Sequence, residues 1–252
     1  MSLSSKNDIF NRYEKKYIIT KDQFRVFSNV LPEYMEPDAY SGSGGAYHVN
    51  TLYYDTPQNE LIHTAMMKPK YREKLRIRSY GVPALNTVVY SEIKKKAAGV
   101  GNKRRSAMRL EDAYCFMETG NLPLVQPYMN RQVLLEIQHM LDRYKLSLAP
   151  SLVLGYERTA LHGREQKDLR ISFDTGLWAR RENLRLEEDC GGDLIFDPDT
   201  VIMEVKVLSS MPLWLVRILS ENRLYARQAS KYGTVYRREL EKNLAGSGYL
   251  VG

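Results

Sequence analysis

The stretch "KLRIRSYG", Lys74 to Gly81, decides the fold. It alternates without a break, so Lys74, Arg76 and Arg78 fall on one face of an extended strand and Leu75 and Ile77 on the other. A face of one sign repels itself, and solvated faces usually mix signs. The division gains meaning from the rest of the chain, where it recurs. "RYEKKYII" groups Arg12, Glu14 and Lys16, "VVYSEIKKK" groups Tyr90, Glu92 and Lys94, and "GYERTAL" groups Tyr156 with Arg158. "LRISFDT" groups Arg170, Ser172 and Asp174, and "MEVKV" groups Glu204 with Lys206. Arg72 extends the first face.

These faces carry ten cations and four carboxylates, a surplus close to the whole net charge of +7. The companion faces are largely apolar and need burial. One such strand is well explained by an antiparallel sheet with its polar side in water. At least six that agree in sign are better explained by a sheet closed on itself, apolar side against covering helices and charged side around a lumen. The cations would then converge on a polyanion, and the fixed forks of arginine suit phosphate oxygens. Glu14 and Glu92 are either charge balancers or functional groups. Glu204 is a candidate donor for a divalent ion shared with substrate phosphates.

At 252 residues, 43% hydrophobic and 27% charged, the chain has the composition of a globular protein. One α+β domain over 1–252 is expected, with a disordered tail over residues 1–8. Cys115 and Cys190 form neither a metal motif nor a disulfide framework. "MSLSSKNDIF" lacks the apolar core of a signal peptide, and "MPLWLVRIL" is too short to span a bilayer. A cytoplasmic protein without a membrane span is expected. His48, His63, His139 and His162 are scattered and read as structural or surface residues.

Thr20 with Gln23 makes a capping box for a helix carrying Phe24, Phe27 and Leu31. "SGSGG" at 41–45 reads as a loop, and strands follow at 47–56, 72–80, 87–96 and 103–110. Helices are expected at 110–119, stopped by Gly120, and at 130–145. Strands resume at 151–161, 169–175 and 201–208, around an acidic, turn-rich hairpin region at 182–199. Ser210 would cap a final helix reaching about Leu224. "AAGVGN" is no P-loop, because it lacks the GK[ST] ending.

In order along the chain, "RYEKKY", "LYYDTP", "KLRIRSYG", "SEIKKK", "GYERTAL", "LRISFDT", "MEVKV" and "SKYGTVY" resemble the VTC domain family, catalytic modules of polyphosphate polymerases within the triphosphate tunnel metalloenzyme fold. The resemblance implies a closed, eight-stranded antiparallel tunnel with helices packed outside, ATP as donor and inorganic polyphosphate as product. Carried over by motif, Arg76, Arg78, Lys94, Arg158 and Glu204 would be catalytic, Glu204 holding Mn2+ or Mg2+. Lys16, Lys74, Arg170, Lys206 and Lys231 would bind phosphate. Lys103, with Arg104 or Arg105, is either a basic strand beside the tunnel mouth or solvated surface, and Tyr156 either bonds a phosphate or packs. Related tunnel phosphatases carry ExExK on the first strand, where this chain has Arg12-x-Glu14-x-Lys16, a departure that favours the polymerase branch. The rivals are a tripolyphosphatase or nucleotide triphosphatase of the same fold, a non-catalytic polyphosphate-binding module, and a nucleic-acid-binding barrel. The last lacks the stacking platform single strands need, so no nucleic-acid partner is expected.

Overall fold

A computed structural model describes residues 13–38, 45–98, 100–188, 190–208, 210–227 and 230–246. The expected tail at 1–8, Arg12 and most of the "SGSGG" loop lie outside the described residues. The elements run in the order β1 (Tyr13–Thr20), α1 (Lys21–Tyr34), β2 (Met35–Pro37), β3 (Tyr47–Asp55), α2 (Glu60–Met67), β4 (Tyr71–Tyr80), β5 (Val88–Ala97) and β6 (Val100–Arg109). Then follow α3 (Leu110–Thr119), α4 (Arg131–Arg143), β7 (Ala149–Gly163), β8 (Arg170–Arg180), β9 (Asp193–Leu194), β10 (Thr200–Val207), α5 (Leu213–Glu221) and α6 (Lys231–Gly246).

The strands pair antiparallel in the order β1-β10-β8-β7-β3-β4-β5-β6, with β2 added to β7 and β9 to β8. The α+β class and the antiparallel sheet agree with the sequence. The closed, eight-stranded tunnel does not. Eight strands make the path, two short strands join beside it, and among the described residues no ladder links β6 to β1, so the ten-stranded sheet is open. The charge pattern fixes which face each residue takes, but not whether the two end strands meet. No helix among the described residues is long and apolar enough to cross a membrane.

The chain divides into two compact units. The first draws on residues 1–45, 159–174 and 199–228. Its core joins Tyr17 and Ile19 of β1 to Ile171, Phe173, Val201, Met203 and Val205, under Phe27 and Leu31 of α1 and Leu215 of α5. The capping box forms as expected: the Gln23 amide donates to Thr20 Oγ1 at 3.1 Å, and the Thr20 amide donates to Gln23 Oε1 at 3.0 Å. Thr20 thus ends the strand and starts the helix that covers it. α5 departs from its expected limits. Pro212, not Ser210, stands at the N-cap, the helix ends at Glu221, and it is not the last.

The second unit draws on residues 46–158, 175–198 and 229–252. Leu52, Leu75, Ile77, Val89, Ile93, Met108 and Val153 pack beneath α3 and α4, whose Phe116, Leu134, Ile137 and Leu141 are buried. Gly120 stops α3 at φ 71°, a left-handed conformation that favours glycine. In the acidic region after β8, the Arg180 guanidinium donates to four backbone carbonyls, those of Asn183, Arg185, Glu188 and Gly191. β9 then returns beside Trp178 and Ala179, which makes the expected hairpin.

Candidate active site

Strand register turns the alternating cations of the second unit into a grid. Arg78 lies opposite Thr51 and Tyr90, Arg76 opposite Tyr53 and Glu92, and Lys74 opposite Lys94, which in turn faces Lys103. Tyr156 pairs with Val49, and Arg158 with Tyr47. Because paired residues share a face, one side of this sheet carries the predicted cations and the other the apolar core.

At the centre lies a buried ion cluster. Glu92, 1% exposed, accepts from Arg76 Nε at 2.7 Å through Oε2, and Arg76 Nη2 lies 2.6 Å from the same oxygen. Lys103 Nζ stands 2.6 Å from Oε1, which has this ion pair but no hydrogen bond of good geometry. Arg76 also donates to the Tyr53 hydroxyl at 3.1 Å, and Arg78 to Thr51 Oγ1 at 3.3 Å. Burial would raise the Glu92 carboxyl, but Arg76, Arg78 and Lys103 outweigh it and hold it at about 2. Burial would likewise raise the Tyr53 phenol, and Arg76, Lys74 and Arg78 instead bring it down to about 7. Burial and the two arginines lower Lys103 to about 7, against the pull of Glu92. The Arg76 guanidinium, which burial alone would push down, is raised by Tyr53 and Glu92.

The start of α6 borders the same face. Lys74 Nζ donates to Ser230 Oγ at 3.3 Å and lies 5.8 Å from the Tyr232 ring centre. Lys231 lies 4.6 Å from the Tyr156 ring centre and Arg158 5.1 Å, so the 2% exposed Tyr156 is a packed aromatic carrying two cations. Asp55 anchors this arrangement. Its carboxylate accepts from the amides of Leu61 and Ile62 in the first turn of α2 and, at 3.0 Å, from the Tyr232 hydroxyl. A strand end, a helix start and α6 are thereby tied to one buried group.

In the first unit, β10 lies between β1 and β8, with Glu204 opposite Lys16 and Ser172, and Lys206 opposite Glu14 and Arg170. Lys206 Nζ pairs with Glu204 Oε1, Lys16 Nζ lies 3.9 Å from Oε2, and Lys16 also pairs with Glu14 at 3.0 Å. Arg170 donates to Asp38 at 2.8 Å. Among the described residues no group of three or more His, Cys, Asp or Glu side chains is placed to hold a metal ion. A hard cation held by Glu204 would therefore find few protein oxygens and would take the rest of its shell from phosphate oxygens and water.

Of the predicted residues, Arg76, Arg78, Lys74, Lys94, Lys103, Arg158, Tyr156 and Lys231 thus belong to the second unit, and Glu204, Lys16, Arg170 and Lys206 to the first. The choice after Lys103 resolves by register. Arg105 faces Glu92, whereas Arg104 pairs across from Ile93 and bonds Glu136 of α4 on the opposite side. Sequence reasoning missed Tyr53, Thr51, Ser230 and Tyr232. The alternation of β3 already placed Thr51 and Tyr53 on one face, and that signal went unused because neither is charged.

The VTC domain family model matches residues 11–238. No curated protein sequence matches the chain. Among solved structures, a Bacillus halodurans protein provisionally named an adenylate cyclase is 13% identical with a TM-score of 0.53, covering 86% of this chain and 92% of its own. A Hippeastrum protein, provisionally named an adenylyl cyclase and described as having a dominant triphosphatase activity, is 14% identical with a TM-score of 0.47, over 94% and 96%. A Pyrococcus horikoshii protein is 14% identical with a TM-score of 0.43, over 90% and 99%. At these identities the likeness to the Bacillus protein concerns the fold alone.

Proposed function

Because the chain belongs to the VTC domain family, we propose that it is a phosphotransferase that moves the γ-phosphate of ATP onto a growing inorganic polyphosphate chain. The observation that carries this reading is the cluster of Arg76, Arg78 and Lys103 around the buried Glu92, with Lys74 and Lys94 beside it on the same sheet face. Such a face is built for a dense, linear anion. In the step proposed, a terminal oxygen of the acceptor attacks the γ-phosphorus in line, the bond to the β–γ bridging oxygen breaks, and ADP leaves.

No protein nucleophile is required, since positioning and charge stabilisation supply most of phosphoryl-transfer catalysis. Nor is a general base, because the acceptor oxygen is already ionised. Arg76, Arg78, Lys94 and Arg158 stabilise charge on the transferred group. Lys74, Lys103, Lys231, Lys16, Arg170 and Lys206 hold phosphates, and Tyr156 orients the cations stacked on it. Glu204 would hold Mn2+ or Mg2+, which when bound neutralises phosphate charge. The same reading takes residues 1–252 as one VTC-like domain acting in the cytoplasm.

Incubation with ATP and Mn2+, followed by a gel stained for polyphosphate, tests the reading. A ladder is expected, lost in the Arg76→Ala/Arg78→Ala double variant, and its metal-dependent formation is lost in Glu204→Gln; a Glu204→Gln protein that keeps it would remove the metal role. Orthophosphate without a ladder would replace the polymerase with a hydrolase. Bound ATP with neither product would leave a binding module.

A further inference from the structure

One feature of the cationic face is not a charge. Tyr47 of β3, Tyr80 of β4 and Tyr90 of β5 run diagonally across three neighbouring strands. Their ring centres are 5.8 Å apart from Tyr47 to Tyr80 and 5.9 Å from Tyr80 to Tyr90, both edge-to-face. Arg105 of β6 continues the diagonal, its guanidinium 4.4 Å from the Tyr90 ring centre. All four lie on the side of the sheet that carries Arg76 and Arg78, away from the core under α3 and α4. Burial does not account for them. Tyr80 is 39% exposed, Tyr47 and Tyr90 are half-buried, and Arg105 is exposed.

The diagonal meets the phosphate-binding groups at a defined place. Tyr90 is the cross-strand partner of Arg78, and Tyr80 follows Arg78 by two residues on the same face. That step along a strand is about 7 Å, a span that a ribose can bridge between a phosphate and its base. Aromatic rings accept any base through its π-face, and an arginine plane at the end of the row adds a cation–π partner.

The geometry points to a nucleobase platform: the Tyr47–Tyr80–Tyr90–Arg105 diagonal stacks the base of a nucleoside triphosphate whose phosphates lie against Arg78 and Arg76. This rests on the proposed use of a nucleotide donor and adds what distinguishes that donor from the base-free polyphosphate product. Stacking without hydrogen-bond readout tolerates different bases, so ATP and GTP should bind alike and CTP more weakly.

Titration calorimetry of ATP, GTP, CTP and tripolyphosphate against the wild type, Tyr80→Leu and Tyr80→Phe tests the platform. Tyr80→Leu should weaken ATP about tenfold or more, from the usual worth of base–aromatic stacking, and leave tripolyphosphate unchanged. Tyr80→Phe should keep wild-type affinity for both. An equal loss for ATP and tripolyphosphate, or no loss for ATP, overturns the platform. The polymerase reading fails separately: a wild type that binds ATP in this base-dependent way yet makes no polymer refutes the activity and keeps the platform. Polymer made by Tyr80→Leu with wild-type ATP dependence refutes the platform and keeps the activity. A wild type with no affinity for ATP removes the platform and the donor together.

Discussion

Glu92→Gln removes one charge from the centre of the cationic face and changes little else. In the wild type the carboxylate neutralises Arg76 at 2.6–2.7 Å and Lys103 at 2.6 Å. Its carboxyl is held at about 2 against an ordinary 4.5, and each unit of pKa is 1.36 kcal/mol, so the folded site prefers the charged form by about 3 kcal/mol. Glutamine imitates the protonated acid and should cost about that much. For a chain of this length the loss lowers the melting temperature by about 6–12 °C.

The sign follows from linkage. A carboxyl depressed in the folded state contributes its full stability above its unfolded value of 4.5 and loses it as pH falls toward about 2. The gap between wild type and variant, measured by urea unfolding, should therefore be constant from pH 7 to about 5 and narrow by roughly two-fifths at pH 3.5. A second readout separates an internal counter-ion from a merely structural acid. Once the carboxylate is neutral, a phosphate takes over its role, so tripolyphosphate should bind about tenfold more tightly and restore the lost melting temperature. A Glu92→Gln protein as stable as wild type at pH 7, or one that binds tripolyphosphate no better, would refute the reasoning.

Two further outcomes follow from the same cluster and from the packing beneath it. Tyr53 and Lys103 both sit at about 7, and an arriving polyanion raises both, so tripolyphosphate binding at pH 8 should take up protons and weaken as pH rises through 7. Calorimetry in buffers of different ionisation enthalpy reads the uptake; heats independent of buffer would contradict it, and Tyr53→Phe should reduce it. Gly155→Ala would place a Cβ 2.2 Å from the Trp178 ring, an overpacking worth about 1–3 kcal/mol, read as a lower urea midpoint; an unchanged midpoint would show that Trp178 yields freely.

The faces of the sheet were legible because the strand period is two and each charge declares its side. From Lys74 to Arg78, and from Glu204 to Lys206, alternation alone separated the groups now found on the polar side from the buried core. What pairs with what was not legible. Tyr13 meets Val207 and Lys16 meets Glu204 across most of the chain, and no local pattern encodes that distance or says whether β6 should reach β1. α2 was missed for a local reason. Its N-cap, Asn59, holds a left-handed conformation and makes no side-chain cap, while the donors of its first turn are satisfied by Asp55 from the preceding strand. The start of α6 stands out in the sequence only as the motif "SKYGTVY", although Tyr232 and Val235 repeat at helical spacing and are buried.

Glu92 shows most clearly how register decides function. In the sequence it is one acid ahead of three lysines, and its neighbours along the strand suggest Lys94 as its counter-ion. The ladder instead sets Arg76 opposite it on one side and Arg105 on the other, and the contacts made are with Arg76 and Lys103. Lys94 stands in register between Lys74 and Lys103, so three lysines form a row across one sheet face. Like charges in a row repel one another, and nearby carboxylates or a bound anion offset that repulsion. Glu92 offsets it at the Lys103 end. On the proposed reading an arriving phosphate offsets the repulsion within this row, so part of the work of bringing like charges together on one sheet face is returned as affinity for a polyanion.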